Sequence, residues 1–500
     1  MSLASLLMIT ILLAGLLIFL IHKGATPKRS KFPPSPPKLP IIGNLHQLGS
    51  HPHRALHALS QKYGPLMLLK LGSVPAIIVS SAELAQEVMK TQDSIFASRP
   101  SLEVAKQLLY DCRDILFAPY GDYWRQIRKV CIVHLLSIKR VQSFSSIRDE
   151  QVSQMIDRIA CCSSIGPVNL SKILNSLTNG LITKIAFGGK FLGEERTNKL
   201  NQLLEESSAF LGGFYVRDYF PWLGWLGKLS GTDDRIKRSF INWDVFLEEV
   251  IRDHEDGESD EFGAHQTQDL VDVLLSLQKD HAEGFTLARD EIKAIIKDMF
   301  GAATDTTFIT LDWAMAELAR SPKRLKRVQD EIREILGNRS RVTEDDISKM
   351  NYLKAVIKET LRLHPPGPLL LPRESLEETK IQGYEIPKKT RIIVNAFSIG
   401  RDPEFWEEAH EFRPERFLNN PIDFKGNDFQ FIPFGAGRRI CPGIHFATST
   451  LELALANLLY RFDWNLPDNM SPEDLDMVET FGVSTRRKSD LLLHPIPYKA

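Results

Sequence analysis

The chain has 500 residues, 43% hydrophobic and 25% charged, the composition of an ordinary globular protein with ample core. Lys and Arg number 62 against 63 Asp and Glu, a net charge of −1, so no whole-protein field attracts phosphate and nucleic acid is excluded as the main partner. The cysteines are Cys112, Cys131, Cys161, Cys162 and Cys441, an odd set with one adjacent pair and no regular spacing. That pattern is neither a disulfide framework nor a zinc site, and it points to a reducing compartment. The sequons at Asn169, Asn338 and Asn469 are expected to stay unused for the same reason.

Leu3 to Ile21 carries no charge, and its length is close to the ~20 apolar residues that cross a bilayer. A cleaved signal peptide would have an apolar region of ~7–15 residues after a basic start. Here Met1-Ser2 brings no side-chain charge, and the basic residues Lys23, Lys28, Arg29 and Lys31 follow the apolar run. The positive-inside rule then puts the N-terminus in the lumen and the rest in the cytosol. Residues 1–22 therefore read as an uncleaved anchor. Residues 23–40 form a basic, proline-rich linker; Phe32-Pro33-Pro34-Ser35-Pro36-Pro37 favours polyproline II, either a plain spacer or a strut that orients the body on the membrane.

Residues 41–500 read as one domain, mainly α with a small β region. Leu66 to Leu71 and Val74 to Val79 are β-type runs around Gly72-Ser73, a hairpin signal. Pro75 puts the second run near a sheet edge or at a strand start. Ser80-Ser81-Ala82-Glu83 offers a capping box for a helix through Met89. Helical periodicity then dominates to about residue 365, with Lys293 to Leu318 the longest such run. Strand-like runs return at Thr379 to Ile386 and Arg391 to Ala396.

Trp124 and Arg128 share one helix face at i, i+4. Gly301-Ala302-Ala303-Thr304-Asp305-Thr306-Thr307 interrupts an apolar helix with polar residues, whose hydroxyls can bond back to carbonyls one turn earlier. Glu359 and Arg362 stand one above the other at i, i+3, a spacing that alone means little. Phe412-Arg413-Pro414-Glu415-Arg416-Phe417 adds an arginine between aromatics.

The most informative stretch is Pro433-Phe434-Gly435-Ala436-Gly437-Arg438-Arg439-Ile440-Cys441-Pro442-Gly443. It precedes an apolar helical run, Ile444 to Leu459, so Cys441 sits at or just before a helix N-terminus. Unpaired N–H groups there lower a thiol's pKa and stabilise a thiolate. A loop without β-carbons can lie flat against a large planar ligand. A thiolate held this way is the axial ligand that pushes electron density onto haem iron. A buried cysteine at a glycine turn is the plain alternative, but Phe434-x-x-Gly437-x-Arg439-x-Cys441-x-Gly443 fixes five residue types at set spacings.

That stretch resembles the haem-binding signature of the cytochrome P-450 family, and the proline-rich segment after an anchor is similar to its microsomal members. Asp218-Tyr219-Phe220-Pro221-Trp222 and the glycine loop look most like plant members acting in specialised metabolism. The resemblance implies the P-450 fold, a haem b cofactor and Cys441 as the axial thiolate, with Phe434 and Gly443 at the ring. It further implies propionate contacts from Trp124, Arg128, Arg373 and Arg439, and a structural charge network of Glu359, Arg362 and Arg416. Thr306 would hold a water at the oxygen site, and Asp305 would link it to a proton supply; the family usually has glycine where this chain has Ala303. The implied activity is insertion of one atom of O2 into a small apolar metabolite (terpenoid, alkaloid or phenylpropanoid/coumarin). Electrons would come from NADPH through NADPH–cytochrome P-450 reductase, at the endoplasmic reticulum membrane. A haem-thiolate isomerase or dehydratase, or a haem-binding sensor, are the alternatives. The resemblance also gives the pocket walls: Ser101 to Leu116, Phe210 to Tyr215, Phe300 to Thr304, Pro368 to Leu371 and Val478 to Val483, with aromatics Phe210, Phe214, Phe300 and Phe481 and no charged partner for an ionic substrate.

Overall fold

The computed structural model describes residues 31–163, 166–188, 194–257, 268–280, 286–467 and 470–498. The expected anchor over 1–22 lies outside them, as does the linker before residue 31. Among the described residues no helix is long and apolar enough to cross a membrane.

The β region is a four-stranded sheet of β1 (Leu66–Leu71), β2 (Val74–Val79), β3 (Arg373–Glu374) and β4 (Arg391–Val394), in the order β1-β2-β4-β3. β1 and β2 pair antiparallel from Leu66↔Val79 to Leu71↔Val74, and β2 runs parallel to β4 from Ala76↔Arg391 onward. Pro75 lies just before that parallel ladder starts, so its missing N–H costs no bond in it. The run from Thr379 is a separate hairpin, Thr379–Ile381 with Tyr384–Ile386, turned at Gln382-Gly383 where both φ are positive. Ser81 does cap a helix, through Leu84 N–H, but that helix ends at Gln86 and passes into a π turn over Glu87–Thr91.

Seven helices place the site: α1 (Asp122–Val130), α2 (Leu170–Phe187), α3 (Glu194–Gly212), α4 (Thr232–Gly257), α5 (Arg289–Arg320), α6 (Asn351–Leu363) and α7 (Ile444–Arg461). The Asn169 side chain caps α2, accepting from Lys172 N–H. α5 runs through the middle, packed on α2, α6 and α7. It is buried all round from Glu291 to Phe300 and again from Ile309 to Ala319, the signature of a core helix. Between these, Gly301, Ala302, Ala303, Asp305 and Thr306 are not buried and open onto a cavity. The largest core joins α2, α5, α6 and α7 through residues such as Leu174, Leu311, Met315, Leu353, Val356, Leu451 and Leu455. A second core joins α2, α4 and the first half of α5. Together they make α5 and α7 a rigid frame with the glycine loop at the start of α7.

Candidate active site

The loop is built to hold one cysteine still. Gly435 and Gly437 take φ of +70° and +67°, a short 3-10 turn spans Gly437–Arg439, and Gly443 is the N-cap of α7. The Cys441 N–H donates to the Phe434 carbonyl at 3.0 Å, closing the loop. Asp93 staples it from outside. Its carboxylate accepts from Arg438 N–H at 2.8 Å, Arg438 Nη1 at 3.1 Å and Arg373 Nη1 at 2.9 Å, while Arg373 Nη2 donates to the Ala436 carbonyl at 2.8 Å.

Cys441 lines a cavity of about 370 Å³, with Phe434, Gly435, Pro442 and Gly443 beside it and Ala302, Ala303 and Thr306 of α5 on another wall. The helix position was expected to lower the thiol's pKa. Instead burial pushes it up, against smaller opposite effects of the Gly443 N–H and the Arg128 charge. The Gly443 N–H at the helix N-cap reaches the sulfur but does not outweigh burial, and a coordinated metal is what deprotonates such a thiol outright.

Arg99, Arg128, Arg373 and Arg439 also line this cavity. Burial and then mutual repulsion hold Arg99 well below its ordinary value and bring Arg439 down to about 9. Arg439 donates to the carbonyls of Ala97, Ile115 and Ala118, and Arg128 to that of Ile440. Buried guanidiniums that repel one another suit a dianionic ligand. Beside Gly435 a methyl group would meet no protein atom closer than Leu370 Cδ1 at 3.9 Å, leaving a flat bare surface. Thiol, bare loop and excess positive charge together fit haem and its two propionates. Trp124 takes a different position from the other expected contacts. It does not line the cavity: its indole N–H donates to the Ile115 carbonyl at 3.0 Å, and its ring lies between Arg439 (4.0 Å) and Arg128 (5.3 Å).

On α5, Thr304, Thr306 and Thr310 all donate back, to the carbonyls of Phe300, Ala302 and Thr306 at 2.9, 2.7 and 2.8 Å. Thr306 thus spends its proton on the helix and offers its oxygen lone pairs to the cavity. Asp305 turns toward α3, where Ser208 Oγ donates to it at 3.5 Å. Burial raises its carboxyl above the ordinary value, and Arg486 and Ser208 pull it back.

Behind the loop, Glu359 and Arg362 form two hydrogen bonds of 2.7 Å, and Arg416 Nε donates to Glu359 at 3.0 Å. Arg362 also donates to the carbonyls of Gly400, Ala409 and Glu411, and the Arg413 N–H donates to Glu359. α6 is thereby tied to the segment that leads into the cysteine loop.

Two expectations for the pocket fail. None of Phe210, Phe214, Phe300 and Phe481 lines the cavity; its aromatics are Phe117, Trp243, Phe434 and Phe446. Phe300 is rotated away to stack on Phe187, Phe214 stacks on Tyr219 and Phe481 on His53, while Phe210 lies under Arg235. Nor is the lining free of charge, since Lys297, Asp298 and Arg99 belong to it. Asp298 accepts from the N–H groups of Ile115 and Leu116 at 2.8 and 3.3 Å. Sequence reasoning missed these residues, and Asp93, because each acts through a partner far away in the chain.

The fold and site define a haem-thiolate enzyme whose central helix opens onto the cavity beside the cysteine. The family model for cytochrome P450 matches residues 33–494, and the chain belongs to that family. It is 53% identical over 457 residues to cytochrome P450 71A1 of Persea americana, covering 90% of each chain. It is 47% identical to strychnine-11-hydroxylase of Strychnos nux-vomica, covering 96% of each. A zebra fish cytochrome P450 solved with abiraterone superposes with a TM-score of 0.76 at 26% identity, covering 90% of this chain and all of that one. The protein is a haem-thiolate monooxygenase, its cofactor a haem with a cysteine thiolate as axial ligand.

Proposed function

We propose that this enzyme inserts one atom of O2 into a small, largely apolar plant specialised metabolite of the terpenoid, alkaloid or phenylpropanoid/coumarin type. NADPH supplies the electrons through a flavoprotein reductase. The observation that carries the reading is the cavity itself: a half-buried thiol on a bare loop, ringed by guanidiniums and faced by a threonine and an aspartate. When bound, haem supplies the activation of dioxygen, a chemistry that thiolate ligation favours. Cys441 would be its ligand, Phe434 and Gly443 would lie against it, and Arg128, Arg373 and Arg439 would hold its propionates, with Trp124 fixing the two arginines stacked on it.

Around that chemistry the chain positions protons and excludes water. Thr306 Oγ1, its own proton given to Ala302, accepts from a water and orients it. Asp305, its carboxyl raised above the ordinary value by burial, stands at the edge of the cavity beside Ser208 as the link to the proton supply. The Ala303 methyl narrows this wall. Residues 1–22 anchor the enzyme in the endoplasmic reticulum membrane, with the body on the cytosolic side where the reductase donates. The plant relatives and the strychnine hydroxylase among them support the substrate class. The test is Cys441→Ala beside wild type. Wild type should show the red-shifted Soret band of a thiolate-ligated ferrous carbonyl complex and oxidise members of a plant-metabolite panel with NADPH, reductase and O2. A variant that kept that band would sink the assignment.

A further inference from the structure

Lys297 is an anomaly in this cavity. It stands five residues before Ala302 on α5, is 5% exposed, and lines the cavity with Trp243, Ser207 and Leu116. An ammonium has three donors. Here one hydrogen bond is found, from Nζ to the Leu108 carbonyl at 2.8 Å, and the group lies 5.0 Å over the Trp243 ring. Among the described residues no carboxylate pairs with it, whereas Lys293, one turn earlier, has both Asp244 at 2.7 Å and Glu248 at 2.9 Å. A lysine buried with donors to spare is unfavourable unless something completes its shell. In a largely apolar substrate cavity that something is the substrate.

Resting on the monooxygenase reading above, we infer that Lys297 is a specificity-determining residue that anchors an anionic oxygen, a carboxylate, on the substrate. The anchor lies at the end of the cavity built by α4 and the Leu108–Leu116 segment, so it fixes one end of the molecule and leaves the apolar remainder to extend across α5. Specificity of this kind is strong because a neutral analogue leaves the buried ammonium unpaired. Burial brings the Lys297 ammonium down to about 7, against the pull of Asp298 and Asp114. The groups around it are few. Asp298 is next on α5, and its carboxyl is raised well above the ordinary value by burial and by Asp114. Asp114 is raised to about 6, and Arg99 and Arg439 face it. Asp244 on α4 is taken by Tyr110 and Lys293. A bound carboxylate favours charged Lys297, so its affinity is greatest below pH 7 and weakens as pH rises through that value.

The test uses the haem-loaded full chain and a set of aryl-alkanoates with their isosteric primary amides as probes. Binding is read by equilibrium dialysis as well as by Soret shift, so a ligand held away from the iron still registers. Wild type should prefer the carboxylates, and increasingly so as pH falls from 8 to 6. Lys297→Met should lower the carboxylate-to-amide affinity ratio at least ~10-fold and flatten its pH dependence, while amide binding changes little. Lys297→Arg should keep most of the preference. A lysine serving only to hold the Leu108 carbonyl would weaken both probe types alike. An unchanged ratio in Lys297→Met, or wild type binding carboxylates no better than amides, overturns the inference. Failure of the monooxygenase reading would show separately, as an absent thiolate-type carbonyl band in wild type.

Discussion

Replacing Gly437 by alanine should be among the most damaging single-methyl changes in this protein. At φ +67° an L-residue pays ~1–2 kcal/mol for the left-handed conformation alone. The added Cβ would stand 2.0 Å from the Met89 carbonyl oxygen and 2.8 Å from Asp93 Cγ and Oδ1. A carbon–oxygen contact normally settles at ~3.3–3.6 Å, so the loop must lift by more than an ångström from a backbone atom that cannot swing away. Overpacking of that kind costs a further ~1–3 kcal/mol. The same movement loosens Asp93 from Arg373 and Arg438. The two stated terms add to ~2–5 kcal/mol, and the loosened Asp93 contacts move the sum to the upper part of that range, ~3–5 kcal/mol. With an unfolding entropy of ~2.1 cal/mol/K per residue over the whole chain, each kcal/mol is worth ~1 °C. The variant's thermal midpoint should therefore fall by ~3–5 °C at a fixed scan rate, with a smaller fraction of protein giving the thiolate-type carbonyl band. Gly121→Ala is the control: its backbone is extended at φ 178°, and its methyl would meet no atom within 4 Å, so the shift should stay below ~1 °C. Equal midpoints for the two variants would refute the reasoning.

Glu359→Gln keeps the shape but leaves Arg362 and Arg416 without a counter-charge, at ~3–5 kcal/mol, and should show as a collapse in the yield of folded haem protein. Burial alone would raise the Glu479 carboxyl, but His53 and Arg54 hold it at about 2. Its contribution is thus complete above the unfolded value of ~4.3 and is lost as pH falls through about 2. Glu479→Gln should destabilise at pH 7, with the gap to wild type closing on acidification in a series of denaturation curves. Thr306→Ala should let NADPH oxidation continue while product falls and hydrogen peroxide appears, by up to the ~10²-fold of lost acid–base assistance; Asp305→Asn should slow both together. A wild-type product-to-NADPH ratio in Thr306→Ala would leave Thr306 as a helix residue bonded to its own backbone.

What the sequence made legible was whatever is local. The cysteine loop is read from eleven consecutive residues because its backbone bond, its turn and the start of α7 all fall within them. Pro75 announced a strand start because proline's missing donor acts where it stands. The pocket was different. Phe300 adjoins Gly301 in sequence, yet the ~100° step of a helix turns it onto Phe187 and out of the cavity. Lys297 sits in a helix buried on every side, where periodicity offers no polar face to assign it to. Arg99 and Asp93 gain their meaning from the carbonyls of Leu371 and Pro372 and from Arg373, contacts across 272 to 280 residues that no pattern in either segment foreshadows.

The segment from Ala97 to Ala118 is where these hidden contacts converge. Arg439 takes its carbonyls at Ala97, Ile115 and Ala118, Asp298 takes the N–H groups of Ile115 and Leu116, and Lys297 takes the carbonyl of Leu108. Tyr110, Asp111 and Cys112 within it all hold positive φ, a costly backbone that survives only under such restraint. Arg99 and Arg439 on one side and Lys297 on the other thus grip one strained segment. An anion placed against Arg439 lessens its repulsion with Arg373 and Arg128; one placed against Lys297 stabilises its charge. Each change acts on a group bonded to the same segment. Loosening a contact at either end therefore removes a restraint from a segment whose backbone depends on it.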